Sequence, residues 1–179
     1  ELDRLFAAVA NLKHQTLLKT TYAAGLRVSE VVHLRVADLD SERMTLRIEQ
    51  GKGRKDRYSL LAPALLDSLR GYYKIYRPST WLFPSAADPT RPLTISVVQR
   101  GYTRAKRQAG ISKRGGVHAL RHAFATHQLE AGMPLHRLHR LLGHHAIGST
   151  MRYVHLVELP GYLSEGAVDL LAPPQAAHA

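Results

Sequence analysis

The stretch Val117-His118-Ala119-Leu120-Arg121-His122 packs two imidazoles and a guanidinium into five residues. At about 100° per residue on a helix, His118, Arg121 and His122 share one face while Leu120 and Phe124 point to another, so one face packs and the other is cationic. His118 and His122 stand four apart, like the ligand pair of zinc hydrolases, but the glutamate that such a motif needs after the first histidine is Ala119 here. A planar guanidinium beside two imidazoles suits phosphate oxygens better, because arginine donates two parallel hydrogen bonds and keeps its charge. A solvated basic helix face is the plain alternative for this stretch taken alone.

Further polar residues recur in a definite order. Upstream, Gly25-Leu26-Arg27-Val28-Ser29-Glu30 presents an arginine just after a helix stop, with Glu30 three residues on to orient it. Gly51-Lys52-Gly53-Arg54-Lys55-Asp56 forms a strongly cationic turn. Downstream, Leu141-Leu142-Gly143-His144 puts an imidazole at a helix break, and Tyr153 follows nine residues later. Each piece alone has an ordinary reading: a salt-bridge arginine, a solvated lysine, a core tyrosine. Together they resemble the catalytic domain of tyrosine site-specific recombinases, the phage and integron integrases and Xer-type enzymes, over residues 1–156 or so.

That resemblance implies that Arg27, Lys52, His118, Arg121 and His144 surround a scissile phosphodiester and that Tyr153 attacks it. A phenol with a pKa of about 10 is ionised to about one part in a thousand at pH 7, a handicap of roughly 4 kcal/mol that cations or a base must offset. His118 is the expected acceptor of the phenolic proton. Arg27 and Arg121 would neutralise the two non-bridging oxygens, and His144 would donate to one of them. Lys52, on the hairpin, would protonate the departing 5′ oxygen, with Lys55 on the same tip as the alternative. The product would be a 3′-phosphotyrosyl link, which stores the bond energy for strand exchange with no metal, ATP or other cofactor. His139, His145 and His155 read as further imidazoles around the site or on the surface.

The elements that must hold these groups follow from periodicity. Two helices fill residues 1–25, and Ser29 is expected to cap a third short one reaching Leu34. Met44, Leu46 and Ile48 alternate with polar neighbours and Arg57 to Leu61 returns, which makes a β-hairpin around the cationic turn. Helices are expected near Ala64–Tyr76, Thr94–Ala109, Val117–Ala131, Leu135–Leu142 and Ser149–Leu156, with Gly and Pro between them. The fold class is therefore α+β and mainly α-helical, with a small β-hairpin packed against a helical core. The resemblance implies a catalytic domain over residues 1–157 and a tail over 158–179, whose Leu163, Val168, Leu170 and Leu171 suit packing onto a neighbouring subunit, with folding back on the same molecule as the alternative. In the family a preceding helical domain completes a clamp on DNA, and a chain beginning at Glu1 is expected to lack it and to bind DNA weakly.

The 179 residues include 25 Lys and Arg against 14 Asp and Glu, a formal net charge of +11 that calls for a polyanionic partner. Arg54, Lys55, Arg57, Arg104, Arg107, Lys113 and Arg114 are the expected contacts to backbone phosphates of double-stranded DNA, and they would make binding steeply salt-dependent. With 45% apolar residues the chain can bury a core, which excludes a disordered basic tail as a description of the whole. The absence of cysteine excludes disulfides, thiolate zinc sites and cysteine nucleophiles. No apolar run approaches the ~20 residues that span a bilayer. The resemblance adds a tetramer on DNA joined through the tail, accessory DNA-bending or partner recombinase proteins, and a cytoplasmic location on the nucleoid or with a mobile element. A DNA-binding module that kept this scaffold without catalysis is the competing reading, and a zinc-dependent hydrolase a third.

Overall fold

The computed structural model describes residues 1–49, 56–144 and 146–154. The first helices, α1 (Leu2–Ala7) and α2 (Leu12–Ala23), are separated by Asn11, whose side chain caps α2 by accepting the His14 N–H at 3.1 Å. Helix α2 runs through the middle of the molecule and buries Thr16, Leu17, Leu18, Thr20 and Thr21. Its buried Thr20 and Thr21 hydroxyls each donate to the carbonyl four residues back at 2.8 Å, so they enter the core without an unmet hydrogen bond.

The chain leaves α2 through Gly25 at φ +62°, a left-handed turn in which a Cβ would stand 2.4 Å from a Phe124 ring carbon. Only glycine permits both the turn and the close approach. Helix α3 (Val28–Val32) follows, and here the expected cap differs: the N-cap is Arg27, while Ser29 lies inside the helix and is exposed. Glu30 serves the helix start instead, reaching back to accept the Arg27 backbone N–H at 2.7 Å. A carboxylate in the first turn also meets the positive end of the helix dipole.

The sheet has three antiparallel strands in the order β1 (Leu39–Asp40), β2 (Thr45–Ile48) and β3 (Arg57–Leu60), with Leu46 opposite Ser59 and Ile48 opposite Arg57. The β2–β3 pair is the expected hairpin. Strand β1, two residues long, leaves no alternation to read. On β3 the inward face carries Arg57 and Ser59, whereas Tyr58 is exposed. Ser59 Oγ donates to the Ala24 carbonyl at 2.6 Å, tying the sheet to the end of α2.

Helices α4 (Pro63–Tyr76), α5 (Ile95–Gln108), α6 (His118–Glu130), α7 (Leu135–Leu142) and α8 (Gly148–Val154) complete the described fold. Pro63 opens α4 at a position where no intrahelical N–H is needed, and Gly143 closes α7 in the left-handed region. A large core joins α2, α4, α5 and the sheet through residues such as Leu17, Leu26, Leu46, Leu69 and Phe83. A second, smaller cluster holds Phe124, Ala125, Leu129, Leu138, Leu142 and Tyr153, and it binds α7 and α8 to α6. Among the described residues no helix is long and apolar enough to cross a membrane. The basic turn with Lys52, Arg54 and Lys55, together with His145, His155 and the tail, lies outside the described residues.

Candidate active site

Three guanidinia, from the start of α3, from β3 and from α6, meet around one carboxylate. Glu30 on α3 accepts from Arg27 Nη1 at 2.7 Å through one oxygen and from Arg57 Nη2 at 2.8 Å through the other. Arg121 Nη1, from α6, stands 3.6 Å from that second oxygen. Glu30 thus orients Arg27, as its spacing suggested, and gathers two further guanidinia.

The end of α7 supplies the second set of anchors. Arg121 Nη2 donates to the Leu142 carbonyl at 2.6 Å and Arg27 Nη2 to the Gly143 carbonyl at 3.4 Å, while Arg121 Nη1 donates to the Gly25 carbonyl at 2.8 Å. The last carbonyls of a helix have no intrahelical partner and carry the negative end of its dipole, so two cations fit there on both counts. Arg121 is 1 % exposed, which removes the alternative of a solvated helix face for this residue.

Tyr153 arrives from α8 in the same chain. It is 2 % exposed, its hydroxyl shares a 2.9 Å hydrogen bond with His122 Nδ1, and its ring stacks nearly parallel to that of His144 at 6.4 Å. The tyrosine hydroxyl therefore meets His122 rather than the expected His118, which is exposed with its ring centroid 4.6 Å from that of His122. Thr150 pins the other side: its hydroxyl lies 2.8 Å from His144 Nδ1 and 3.1 Å from His139 Nδ1. Thr150 was legible in principle, since it lies one turn before Tyr153 on the same helix face.

A model of the phage integrase family matches residues 1–158. The chain belongs to this family. The y4qK protein of Sinorhizobium fredii is 41% identical over 174 residues, covering 97% of this chain and 56% of that protein. A tyrosine recombinase of Pseudothermotoga lettingae is 37% identical over 161 residues, covering 88% of this chain and 55% of its own length. The crystal structure of XerA recombinase superposes with a TM-score of 0.79 at 27% identity, over 87% of this chain and 57% of that one. The chain thus spans a little over half the length of these relatives.

Burial and charge set the protonation states in this integrase-family site. Desolvation, helped by Arg121 and Arg27, pushes His144 down to about 4 from its usual 6.5. His118 and His122 shift down too, chiefly because surrounding protein partly desolvates the rings, with nearby positive charge acting in the same direction. Burial pushes the Tyr153 hydroxyl up and outweighs the opposing pull of Arg121, Arg152 and Arg27. Arg121 is drawn down to about 10 by burial first and by Arg27 second, and remains charged at neutral pH. The positive charge of the site is therefore carried by guanidinia, with His118, His122 and His144 held toward the neutral form.

Of the residues expected on the DNA face, Arg104 and Arg107 are exposed on α5, and Lys113 and Arg114 are exposed before α6, where Lys113 pairs with Glu1 at 2.9 Å. Arg57 is a correction. It is 8 % exposed and bonded to Glu30, because the strand alternation turns it inward, so its guanidinium is not on the surface. Among the described residues no group of three or more His, Asp or Glu converges to hold a metal ion.

Proposed function

We propose that this chain is the catalytic portion of a site-specific DNA recombinase that cleaves and rejoins strands through a 3′-phosphotyrosyl intermediate. The observation that carries this reading is the convergence of Arg27, Arg121 and Tyr153 at the C-terminal end of α7. Two guanidinia held by independent anchors are suited to neutralising the non-bridging oxygens of a phosphodiester, with His144 beside them as a neutral hydrogen-bond donor.

The Tyr153 oxygen would bond to phosphorus as the bond to the 5′ oxygen breaks. The phenolic proton would pass to an imidazole: His122 holds the hydroxyl in the resting arrangement, and His118 is the exposed alternative. Lys52, with Lys55 as alternative, would return a proton to the departing oxygen. Attack by the 5′ hydroxyl of another strand reverses the step, so the bond energy is conserved. With Tyr153 and Arg121 both buried, DNA access requires α8 to shift away from α6. Double-stranded DNA is the partner that the net charge of +11 and the exposed Arg104, Arg107, Lys113 and Arg114 favour. A tetramer on DNA joined through residues 158–179, accessory DNA-bending proteins and a place on the nucleoid belong to the same proposal.

The test is a duplex nicked beside the cleavage site, which traps the covalent intermediate, selected from a randomised pool by capture on the wild-type chain. Adduct with wild type and none with Tyr153→Phe is expected. Adduct that survives Tyr153→Phe rejects the nucleophile, and DNA binding with no adduct at all favours the non-catalytic module. A sulfur in place of the bridging 5′ oxygen should restore cleavage by Lys52→Ala, because a thiolate leaves unprotonated; failure moves the acid to Lys55 or elsewhere.

A further inference from the structure

Arg57 is the costliest side chain in the site to explain as mere packing. It is 8 % exposed, and its Nε and Nη1 are buried without a hydrogen-bond partner among the described residues. An apolar residue of similar length would satisfy the sheet at less cost, since a buried guanidinium gives up its hydration and here regains only one short bond, to Glu30. Burial pulls Arg57 below its usual pKa, and Arg27 pulls it in the same direction. What the arrangement obtains in return is charge. Arg27, Arg57 and Arg121 place three positive charges on the single negative charge of Glu30, an excess of two.

That excess has a chemical counterpart in phosphoryl transfer. A phosphodiester carries one negative charge. When a deprotonated tyrosine oxygen adds to phosphorus, before the 5′ oxygen leaves with its proton, the five-coordinate species carries two. An enzyme gains rate from interactions stronger in the transition state than in the bound substrate. We infer that Arg57 is a positioning residue which acts through Glu30, holding the carboxylate and Arg27 in register and matching the guanidinium cluster to the doubly charged transition state. It touches no DNA. Arg57 is also the first residue of β3, so it ties the strand that follows the basic turn to the residue that orients Arg27.

The inference rests on the recombinase reading, and the experiment separates the two. The trapped-intermediate assay is run in single turnover with wild type, Arg57→Met and Arg57→Lys, beside DNA affinity, on a duplex with an ordinary scissile phosphate. It is repeated on one whose scissile phosphate has a methyl group in place of a non-bridging oxygen, which removes one negative charge. Arg57→Met is expected to slow cleavage about tenfold or more, with affinity little changed. Arg57→Lys should recover part of the rate, and the methylated phosphate should shrink the Arg57→Met defect. Combining Arg57→Met with Glu30→Gln should add little to the loss from Glu30→Gln alone.

A wild-type rate in Arg57→Met overturns the inference and leaves the recombinase reading standing. An equal defect on both phosphates assigns Arg57 to packing and overturns it also. If Arg57→Met does not fold, Arg57→Lys on the two phosphates decides in the same way. No Tyr153-dependent adduct from wild type overturns both readings.

Discussion

The half of the site that holds the arginines and the half that holds the tyrosine are built differently. Arg27 and Arg121 are each fixed by bonds from separate elements: Glu30 on α3, the Gly25 turn after α2, and the carbonyls at the end of α7. Tyr153 sits on a seven-residue helix, packed in the smaller cluster and tied by a hydroxyl bond to His122. A rigid cation frame that needs no rearrangement at the moment of reaction gives electrostatic stabilisation its largest effect. A side chain on a short helix, held by few groups, is the part of the site that can be displaced, because segments with fewer buried contacts open at lower free energy.

The contrast breaks most visibly at its centre. Glu30→Ala leaves three guanidinia around an empty space, two of them buried, and is expected to cost about 3–5 kcal/mol of unfolding free energy in a denaturant titration. Gly25→Ala comes next: a methyl group meets the Phe124 ring and forces a positive φ on alanine, at an expected cost of about 1–3 kcal/mol. It should also weaken Arg121, whose guanidinium donates to that residue's carbonyl. Tyr153→Phe removes one hydroxyl bond, to His122, so a change in stability within about 1.5 kcal/mol is expected. A loss from Tyr153→Phe as large as that from Glu30→Ala would show that the two halves are held equally.

The same contrast governs what the sequence disclosed. The clustering of Arg27, Arg121, His144 and Tyr153 was legible because their motifs recur in one order, and the helices carrying them have clear periodicity and breakers. Arg57 was misplaced because alternation on β3 reads Tyr58 and Leu60 as one face without saying which face meets the core. The answer depended on Glu30, 27 residues away in sequence, drawing a cation inward. The His122 bond to Tyr153 was also out of reach, since adjacent imidazoles on one helix face differ only in where the next helix crosses. Ser29 looked like a cap by residue type, yet Glu30 could serve the helix start and Arg27 together.

A pH-dependent effect tests whether the folded site holds His144 neutral. His144 stands against Tyr153, and burial, then Arg121 and Arg27, hold its pKa at about 4 against 6.5. Between those values the unfolded chain binds a proton at this residue that the folded chain does not. Folding stability therefore falls as pH drops from about 6.5 through about 4 and is fully present above that window. His118 and His122 shift in the same direction and contribute with the same sign. Thermal melts of wild type and His144→Asn across this window are expected to show a shallower decline in the variant, since only the His144 contribution has been removed. Equal slopes would mean that neither burial nor the guanidinia shift His144 in the folded chain.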